Sequence, residues 1–572
     1  MQEKWVVAAK RADFNAIAEK YGIDPVTARL IRNRDVIGDE AIRKYLYGSP
    51  EDLYEPERMK DMTKAAAFLL EAVRSAKKIR IIGDYDIDGV MSSYILLRSF
   101  SRMGADVDVR IPDRIRDGYG LNERLVRAAA EDGRQVLLTC DNGIAASAEL
   151  ELAYELGLQA VVTDHHEVPY QEGDDGVRKM CLPRAEAVID PKRADCAYPF
   201  KGLCGAAVAW KLICCMYRMA GIPRAEADEL IAYAAFATVG DVMDLKDENR
   251  ILVREGLKQL RRTDNPGLQE LISQNGIEPQ QLDVYHIGFI LGPCLNASGR
   301  LDTAGHALAL LAVDRREEAA KLAGDLIALN ASRKDMTIRN EAEAQQLIET
   351  SGLARDRVMV VYLPDCHESL AGIVAGRLKE RYHRPVFVLT QTAGGVKGSG
   401  RSVEAYNMYE GLCACREYLT KFGGHPMAAG ISLQEDMIEP FRRQINAACA
   451  LTEEDLQPRY VIDVPMPISY VTENLIRELD CLKPFGKGNT KPVFAQKGLA
   501  VLGARVFGKN RNVVKCRLAD SAGRTADAVY FGDGDAFISY ISSQETISVI
   551  YYPGIDTFRG RNSIQIVITN YR

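Results

Sequence analysis

Between residues 61 and 189 the sequence alternates between amphipathic helix patterns and short β-branched runs. Strand and helix patterns that alternate at this spacing are typical of a parallel sheet with helices on both faces. We therefore predict a doubly wound α/β domain. Its strands are expected at 78–82, 105–111, 135–139, 159–163 and 187–189.

A chain of 572 residues is too long for one hydrophobic core and is expected to form about three or four domains. Residues 1–58 are predicted to be a polar helical segment, and 59–325 to be the α/β catalytic domain. A helix pattern at 326–350 predicts a bridging helix to a second, smaller α/β domain at 351–454. Short β-branched runs separated by Gly, Asn and Asp predict a small β-barrel at 455–572.

Composition excludes several classes of protein. The net charge of −6 argues against bulk electrostatic binding of nucleic acid. Thirteen cysteines without a Cys-x-x-Cys pair indicate free thiols in a reducing compartment. The first residues have no apolar signal core and no run of about 18 apolar residues occurs, so we expect a cytoplasmic protein without membrane contact. The absence of a Walker loop, and of Gly-x-Gly-x-x-Gly after a strand, argues against P-loop hydrolysis and dinucleotide redox chemistry.

Acidic and imidazole side chains follow three of the predicted strands. The carboxyl ends of parallel strands meet at one edge of a sheet, so these side chains are expected in one crevice. A single acid after a strand is most often a helix cap, but acids after three strands, one beside a His-His pair, need another explanation. Carboxylates with imidazoles and no thiolate favour two manganese or magnesium ions over structural zinc. The candidates are Asp84, Asp86, Asp88, Asp141, Asp164, His165, His166 and, at the end of a helical stretch, Asp241.

Two further features indicate contact with a polyanion. Glycine-rich stretches at 398–402 and 423–430, which carry Arg401 and His425, are expected to be phosphate-binding loops, although each alone is more often a simple turn. Residues 482–518 contain nine Lys or Arg residues and no acid. A charge run is usually a solvated face, but on a β-barrel with the interleaved aromatics it predicts a groove for single-stranded nucleic acid. The aromatics are Phe485, Phe494 and Phe507.

The segments 84–89, 141–143, 164–166 and 240–242 together resemble the four motifs of the DHH phosphoesterase superfamily. The glycine-rich stretches resemble its DHH-associated domain, and the C-terminal part resembles the OB-fold of the bacterial single-strand exonucleases in this superfamily. This resemblance covers about residues 60–572. It implies a monomer that hydrolyses single-stranded DNA from 5′ to 3′ into 5′-mononucleotides with Mn²⁺ or Mg²⁺. It also implies a role in recombination and repair, with a single-strand-binding protein and a recombination helicase as partners.

The resemblance also implies a role for each candidate residue. Asp164 would orient the two histidines, and Asp86 and Asp88 are the most securely matched metal ligands. Where these exonucleases usually have Gly-Pro-Arg-Leu-Asn, this chain has Cys294, which predicts either weaker substrate binding or compensation by Arg300. The implied metal ligands are Asp84, Asp86, Asp88, Asp141, His165, His166 and Asp241. The implied phosphate ligands are Arg114, Ser399, Arg401, Gly424 and His425.

Two other functions stay open from the residues. One is a DHH phosphoesterase that acts on short oligoribonucleotides, cyclic dinucleotides or bisphosphates. The other is a replication scaffold that has lost its metal, which predicts missing ligands, whereas every candidate is present. Chain length, the bridging helix and the basic barrel favour the exonuclease.

Overall fold

The computed structural model describes residues 3–172, 178–556 and 563–572. The N-terminal segment is helical for most of its length, but it begins with a strand that the sequence pattern does not predict. Asp13 and Asp24 accept backbone N–H groups at the starts of its first two helices. The elements are β1 (Lys4–Val7), α1 (Phe14–Tyr21), α2 (Pro25–Asn33) and α3 (Asp39–Tyr47).

The first α/β domain contains the predicted parallel sheet. Its strands are β2 (Ile79–Ile82), β3 (Val107–Arg110), β4 (Val136–Cys140), β5 (Gln159–Thr163), β6 (Tyr170–Glu172), β7 (Arg178–Met180) and β8 (Ala187–Ile189). Five of them pair in the order β3-β2-β4-β5-β8, all parallel, and β6 and β7 form a separate hairpin. The chain runs outward from β2 to β3 and returns to β4, so the boundary between β2 and β4 is the topological switch point.

Helices cover both faces of this sheet because alternate strand residues point to opposite sides. Ile81 and Leu138 join one hydrophobic cluster, and Leu137 and Val162 join the other. The helices are α4 (Met62–Arg74), α5 (Ile87–Arg102), α6 (Glu123–Glu131), α7 (Ser147–Glu155), α8 (Gly205–Ala220), α9 (Arg224–Asp228), α10 (Ile231–Gly240), α11 (Asp247–Leu260), α12 (Pro266–Gln274), α13 (Val284–His286), α14 (Gly292–Leu301) and α15 (Gly305–Ala312).

A long helix, α16 (Arg316–Ser351), leads to the second α/β domain and begins earlier than the predicted 326. This domain contains β9 (Met359–Tyr362), α17 (Glu368–Tyr382), β10 (Val386–Thr392), β11 (Gly395–Arg401), α18 (Met408–Cys413), β12 (Lys421–His425), β13 (Ala428–Leu433) and α19 (Ile438–Ala447). The prediction that the glycine-rich stretches 398–402 and 423–430 form loops is wrong. They lie largely in β11, β12 and β13, which pair side by side in a sheet of order β12-β13-β11-β10-β9.

The C-terminal part is a closed barrel with the strand order of an OB-fold, as predicted. Its elements are β14 (Arg459–Ile462), β15 (Val464–Pro465), α20 (Glu473–Glu478), β16 (Phe494–Phe507), β17 (Val513–Ala519), β18 (Thr525–Phe531), α21 (Gly534–Ser542), β19 (Ile547–Asp556) and β20 (Ser563–Tyr571). Closure comes from β16, which pairs with both β17 and β19. The N-terminal segment joins this barrel, because β1 pairs with β14 and Leu30 and Leu46 share the barrel core.

Among the residues that the structure describes, no helix combines the length and the apolar character needed to cross a bilayer.

Candidate metal centre and phosphate cleft

The turn between β2 and α5 holds three aspartates close together. Asp86 is the N-cap of α5, and its Oδ1 accepts the backbone N–H groups of Asp88 at 2.9 Å and Gly89 at 3.2 Å. A Cβ at Gly89 would lie 2.4 Å from the backbone N and O of Asp84, so only glycine allows this turn to fold so tightly. The turn therefore gathers Asp84, Asp86 and Asp88 at the switch point of the sheet.

The N-terminus of α8 holds the third of these aspartates. The Asp88 carboxylate accepts the N–H groups of Gly205 at 2.6 Å and Ala206 at 2.8 Å, where the helix leaves backbone donors free and carries partial positive charge. A Cβ at Gly205 would lie 2.7 Å from the Cβ of Asp141. The start of α8 thus fixes Asp88 and packs directly on Asp141.

His165 lies at the centre of the acidic cluster. Its Nε2 is 3.0 Å from Asp141 Oδ1, 3.4 Å from Asp88 Oδ2 and 4.0 Å from Asp241 Oδ2. Asp241 is the C-cap of α10, so a helix end adds an acidic side chain to a site otherwise built at the sheet edge. Asp141 itself has a left-handed backbone with φ 61°.

Asp164 holds the two histidines in place. Its Oδ1 accepts the backbone N–H groups of His165 at 2.7 Å and His166 at 3.2 Å, and lies 2.7 Å from His166 Nδ1. Its Oδ2 accepts the N–H of Ile144 at 2.9 Å. Burial favours protonation of this carboxyl, but these bonds and the charge of His166 outweigh burial and lower the pKa of Asp164.

Four other acids of the cluster resist ionisation in the absence of a cation. Burial and the neighbouring carboxylates raise the pKa of Asp84 and Asp241 to about 8, and the same two causes raise the pKa of Asp86 and Asp141. Burial opposes the charge of His166, but the hydrogen bond to Asp164 and the charges of the nearby carboxylates together outweigh it and raise the pKa of His166 to about 9. A divalent cation would supply the missing positive charge.

The donor set fits divalent ions. Three groups of ligand atoms each lie within 4.8 Å of one another, and Asp141 and His165 each belong to two of the groups. Among the residues that the structure describes, the buried atoms Asp84 Oδ2 and His165 Nδ1 find no hydrogen-bond partner. Oxygen and imidazole ligands suit Mn²⁺ or Mg²⁺. The groups are Asp141 with His165 and His166, Asp88 with His165 and Asp241, and Asp84 with Asp86 and Asp141.

A cleft of about 480 Å³ between the two α/β domains borders this centre. Its lining includes Tyr85, which lies between two of the aspartates, Arg114 above the Tyr85 ring at 4.8 Å, and Ser399. Arg401 donates to Ser399 Oγ at 3.1 Å from beside the lining. The predicted phosphate ligands Gly424 and His425 lie outside the lining, at the exposed end of β12. The lining also includes Lys397, Lys421 and Phe422, which the motifs do not indicate.

The sequence candidates leave out two residues near the site, Tyr119 and Asp190, and the motif segment 141–143 gives no sign of the hydrogen bond that Asn142 makes. Tyr119 donates to the carbonyl of Asp141 at 2.6 Å and contacts His166. Asn142 donates to Ile82 O at 3.0 Å and so joins the ends of β4 and β2. Asp190 follows β8 at the same sheet edge, and burial raises its pKa to about 7. Asp190 carries the signal used for the other acids, but after a strand of three residues.

The position of Cys294 is not open to substrate. Its thiol is buried and accepts from Asn330 Nδ2 at 3.3 Å. Arg333 donates to Asn330 Oδ1 at 2.9 Å, so α16 brings an arginine close to the position. Arg300 is largely buried, and its Nη1 donates to Ser369 O at 2.9 Å in the wall of the cleft.

The basic stretch at 482–518 is only partly a free cationic surface. Phe494 is a buried core residue, which corrects its prediction as a stacking platform. Phe507 is 47% exposed and shares a cross-strand row with Val513 and the 60% exposed Phe531. Within the described residues, three cations of the stretch make neither an ion pair nor a contact with an aromatic ring, namely Lys497, Arg505 and Lys509. Five others pair with acids, namely Lys483, Lys487, Arg511, Lys515 and Arg517.

Three segments match known domain families. Residues 78–238 match the DHH family N-terminal domain, 355–451 the DHHA1 domain and 462–570 the RecJ OB domain. The chain is 35% identical over 570 residues to the single-stranded-DNA-specific exonuclease RecJ of Bacillus subtilis, a match that covers 99% of this chain and 70% of that protein. It is 33% identical to RecJ of Escherichia coli, with 96% of each chain covered.

The fold is also similar to solved structures. RecJ from Thermus thermophilus in complex with Mn²⁺ matches with a TM-score of 0.84 and 28% identity, over 100% of this chain and 79% of that one. The Mg²⁺ complex of the same protein matches with a TM-score of 0.78 and 26% identity, over 100% of this chain and 78% of that one.

Proposed function

Because the chain belongs to the RecJ family of single-stranded-DNA-specific exonucleases, we propose that it hydrolyses single-stranded DNA with two Mn²⁺ or Mg²⁺ ions. It releases 5′-mononucleotides from the 5′ end and acts in recombination and repair. The observation that carries this proposal is the position of the phosphate cleft. Tyr85 lines the cleft and lies between Asp84 and Asp86, so a phosphate held there is beside the metal ligands.

The residues that would hold two divalent ions are Asp84, Asp86, Asp88, Asp141, His165, His166 and Asp241. Ions bound there would supply the Lewis-acid charge needed to activate a water and to neutralise the oxygens at phosphorus. Asp164 keeps His166 oriented through Nδ1 and fixes the backbone of both histidines. Burial strengthens the electrostatic interactions of five of these groups, namely Asp84, Asp88, Asp141, Asp164 and His165.

The 5′-to-3′ direction of digestion follows from the binding of the terminal phosphate. Arg114, Ser399 and Arg401, with Gly424 and His425 at the rim, bind the 5′ phosphate in the cleft. The scissile phosphodiester then lies one nucleotide further along the strand, at the metal centre, so each cut releases a mononucleotide. The outer face of the barrel, with Arg505, Lys509 and the aromatic row, binds the rest of the strand.

The domain assignment that we propose keeps 59–325 as the catalytic domain, 351–454 as the phosphate-binding domain and 455–572 as the strand-binding barrel. All thirteen cysteines are free thiols, which supports a reducing cytoplasm. We also propose that the protein is a monomer and that it works with a single-strand-binding protein and a recombination helicase.

Digestion of end-labelled DNA and RNA strands with Mn²⁺ or Mg²⁺ tests the function. We expect loss of 5′-labelled single-stranded DNA, and almost no cleavage by Asp141→Ala. Full activity of that variant would refute the two-metal mechanism. Preferred cleavage of short oligoribonucleotides or cyclic dinucleotides would instead indicate the small-substrate phosphoesterase.

Removal of surface charges tests whether the barrel binds the DNA strand. These substitutions do not expose the core that the barrel shares with the N-terminal segment. Replacing Lys497, Arg505 and Lys509 by alanine should reduce the slope of log affinity against log salt by about 2, at roughly 0.7 per phosphate contact. Arg443→Ala, an exposed cation of α19, is the control and should leave the slope unchanged. An unchanged slope for the triple variant would remove the barrel from the strand path.

A further inference from the structure

The barrel docks on the catalytic domain directly after Asp241. We call residues 481–489 the docking segment. Its Lys487 carbonyl accepts the N–H of Leu245 at 2.7 Å. The buried guanidinium of Arg250 donates to Leu482 O at 2.8 Å and Cys481 O at 2.7 Å. Backbone groups of the barrel therefore satisfy donors of 241–250 that water does not reach.

Two glycines bring the two backbones close together. A Cβ at Gly486 would lie 2.7 Å from Leu245 Cδ1. Gly488 has φ +72°, and a Cβ there would lie 3.0 Å from both Cβ and Cγ of Asp244. The docking segment thus touches the chain three and four residues after Asp241.

Both sides of this contact are rigid. Asn489 Nδ2 donates to Leu482 O at 2.8 Å and Pro484 O at 2.7 Å, which closes the docking segment on itself. On the catalytic side, Asp241 N donates to Ala237 O at 2.8 Å at the end of α10. The turn from Asp241 to Leu245 is therefore held by α10 at one end and by the barrel at the other.

We propose that the docking segment is a positioning element for Asp241, so that the metal affinity of the catalytic domain depends on the docked barrel. This inference rests on the metal-ligand role proposed for Asp241. Groups outside the ligands commonly change metal affinity by 10- to 100-fold when they orient a ligand. The barrel would then have two tasks, since the domain that carries the proposed strand-binding face would also set the geometry of the metal centre.

The test is calorimetric titration of the full-length apo protein with Mn²⁺. Gly488→Ala presses on Asp244 and should weaken Mn²⁺ binding by about 10-fold. Gly523→Ala is the matched control, because Gly523 is also left-handed (φ +78°) and lies in the barrel, but a Cβ there meets nothing within 4 Å. This control should bind Mn²⁺ with the affinity of the wild type. The double variant Gly488→Ala with Asp244→Ala should recover part of the Mn²⁺ affinity that Gly488→Ala loses.

The outcomes separate the two proposals. If Asp241→Ala binds Mn²⁺ like the wild type, the ligand role of Asp241 is wrong. If Asp241→Ala weakens binding but Gly488→Ala does not, only the positioning role is refuted. Should Gly488→Ala fail to fold, Leu245→Ala replaces it in the test, because it removes the contact with Gly486. Unchanged Mn²⁺ affinity in Leu245→Ala would overturn the inference.

Discussion

Asp164→Asn tests how the histidines are held without removing any metal ligand. Four hydrogen bonds end on this carboxylate, three of them on Oδ1. An amide oxygen at the Oδ1 position keeps those three, so the amide NH₂ faces the N–H of Ile144. Leaving that buried N–H without an acceptor costs about 1–3 kcal/mol. We expect Mn²⁺ binding about 10- to 100-fold weaker, which is about 1.4–2.8 kcal/mol, and a similar loss of exonuclease rate.

A second readout separates this effect from general damage. In the wild type the pKa of His166 is raised to about 9, so this imidazole loses a proton when it binds a metal near pH 7.5. Without the Asp164 charge the pKa of His166 falls, and the variant should release about one proton fewer per protein. Calorimetry in buffers of different ionisation enthalpy measures this number.

Asp190→Asn is the matched control at the same sheet edge. Asp190 is buried, its pKa is raised to about 7, and it belongs to none of the three ligand groups. We expect its Mn²⁺ affinity and proton release to match the wild type. Wild-type affinity and proton release in Asp164→Asn would refute the reasoning.

Three other results are expected. Mn²⁺ binding should strengthen from about pH 6.5 to 8.5. Burial and neighbouring carboxylates raise the pKa of Asp84 and Asp241 to about 8, so protons compete with the metal below that pH. A Mn²⁺ affinity that calorimetry finds to be independent of pH would contradict this. Arg401→Gln should reduce kcat/KM about 10- to 100-fold on 5′-phosphorylated strands and much less on 5′-hydroxyl strands, whereas equal losses would refute the phosphate contact. Lys211→Met leaves Glu248 buried without its 2.6 Å ion pair and should destabilise the catalytic domain by about 3–5 kcal/mol in thermal melts, with recovery on adding Glu248→Gln. An unchanged melting temperature in Lys211→Met would show that the pair contributes nothing.

The sheet and the barrel are predictable because their signals are local. Alternating helix and strand patterns indicate β2 to β5, and short β-branched runs indicate a small β-barrel, which the family resemblance identifies as an OB-fold. The glycine-rich strands β11 to β13 are not predictable, since glycine disfavours strands. They form only by pairing within the sheet, where β11 and β13 have a neighbour on both sides and β12 lies at the edge. Likewise, nothing in residues 1–58 indicates that their apolar side chains complete a barrel that lies at the other end of the chain.

In the site, acids after strands predict which side chains meet, because parallel strands end at one edge. Hydrogen bonds from side chains to distant backbone groups carry no such pattern. Asn142 belongs to a motif segment, but its bond to Ile82 O, like the bond of Tyr119 to the carbonyl of Asp141, becomes apparent only in the folded structure. The same applies to Phe494, since an aromatic in a basic run can face the core or the solvent.

The pairing of β1 with β14 has a consequence for synthesis of the protein. Lys4 contacts Glu454, 450 residues away, so the N-terminal helices have no native core to join until most of the chain has left the ribosome. At about 5–20 residues per second this wait lasts on the order of 20–100 s. The catalytic domain has its own core and can fold during that time, so the N-terminal helices become native later than the domain that follows them.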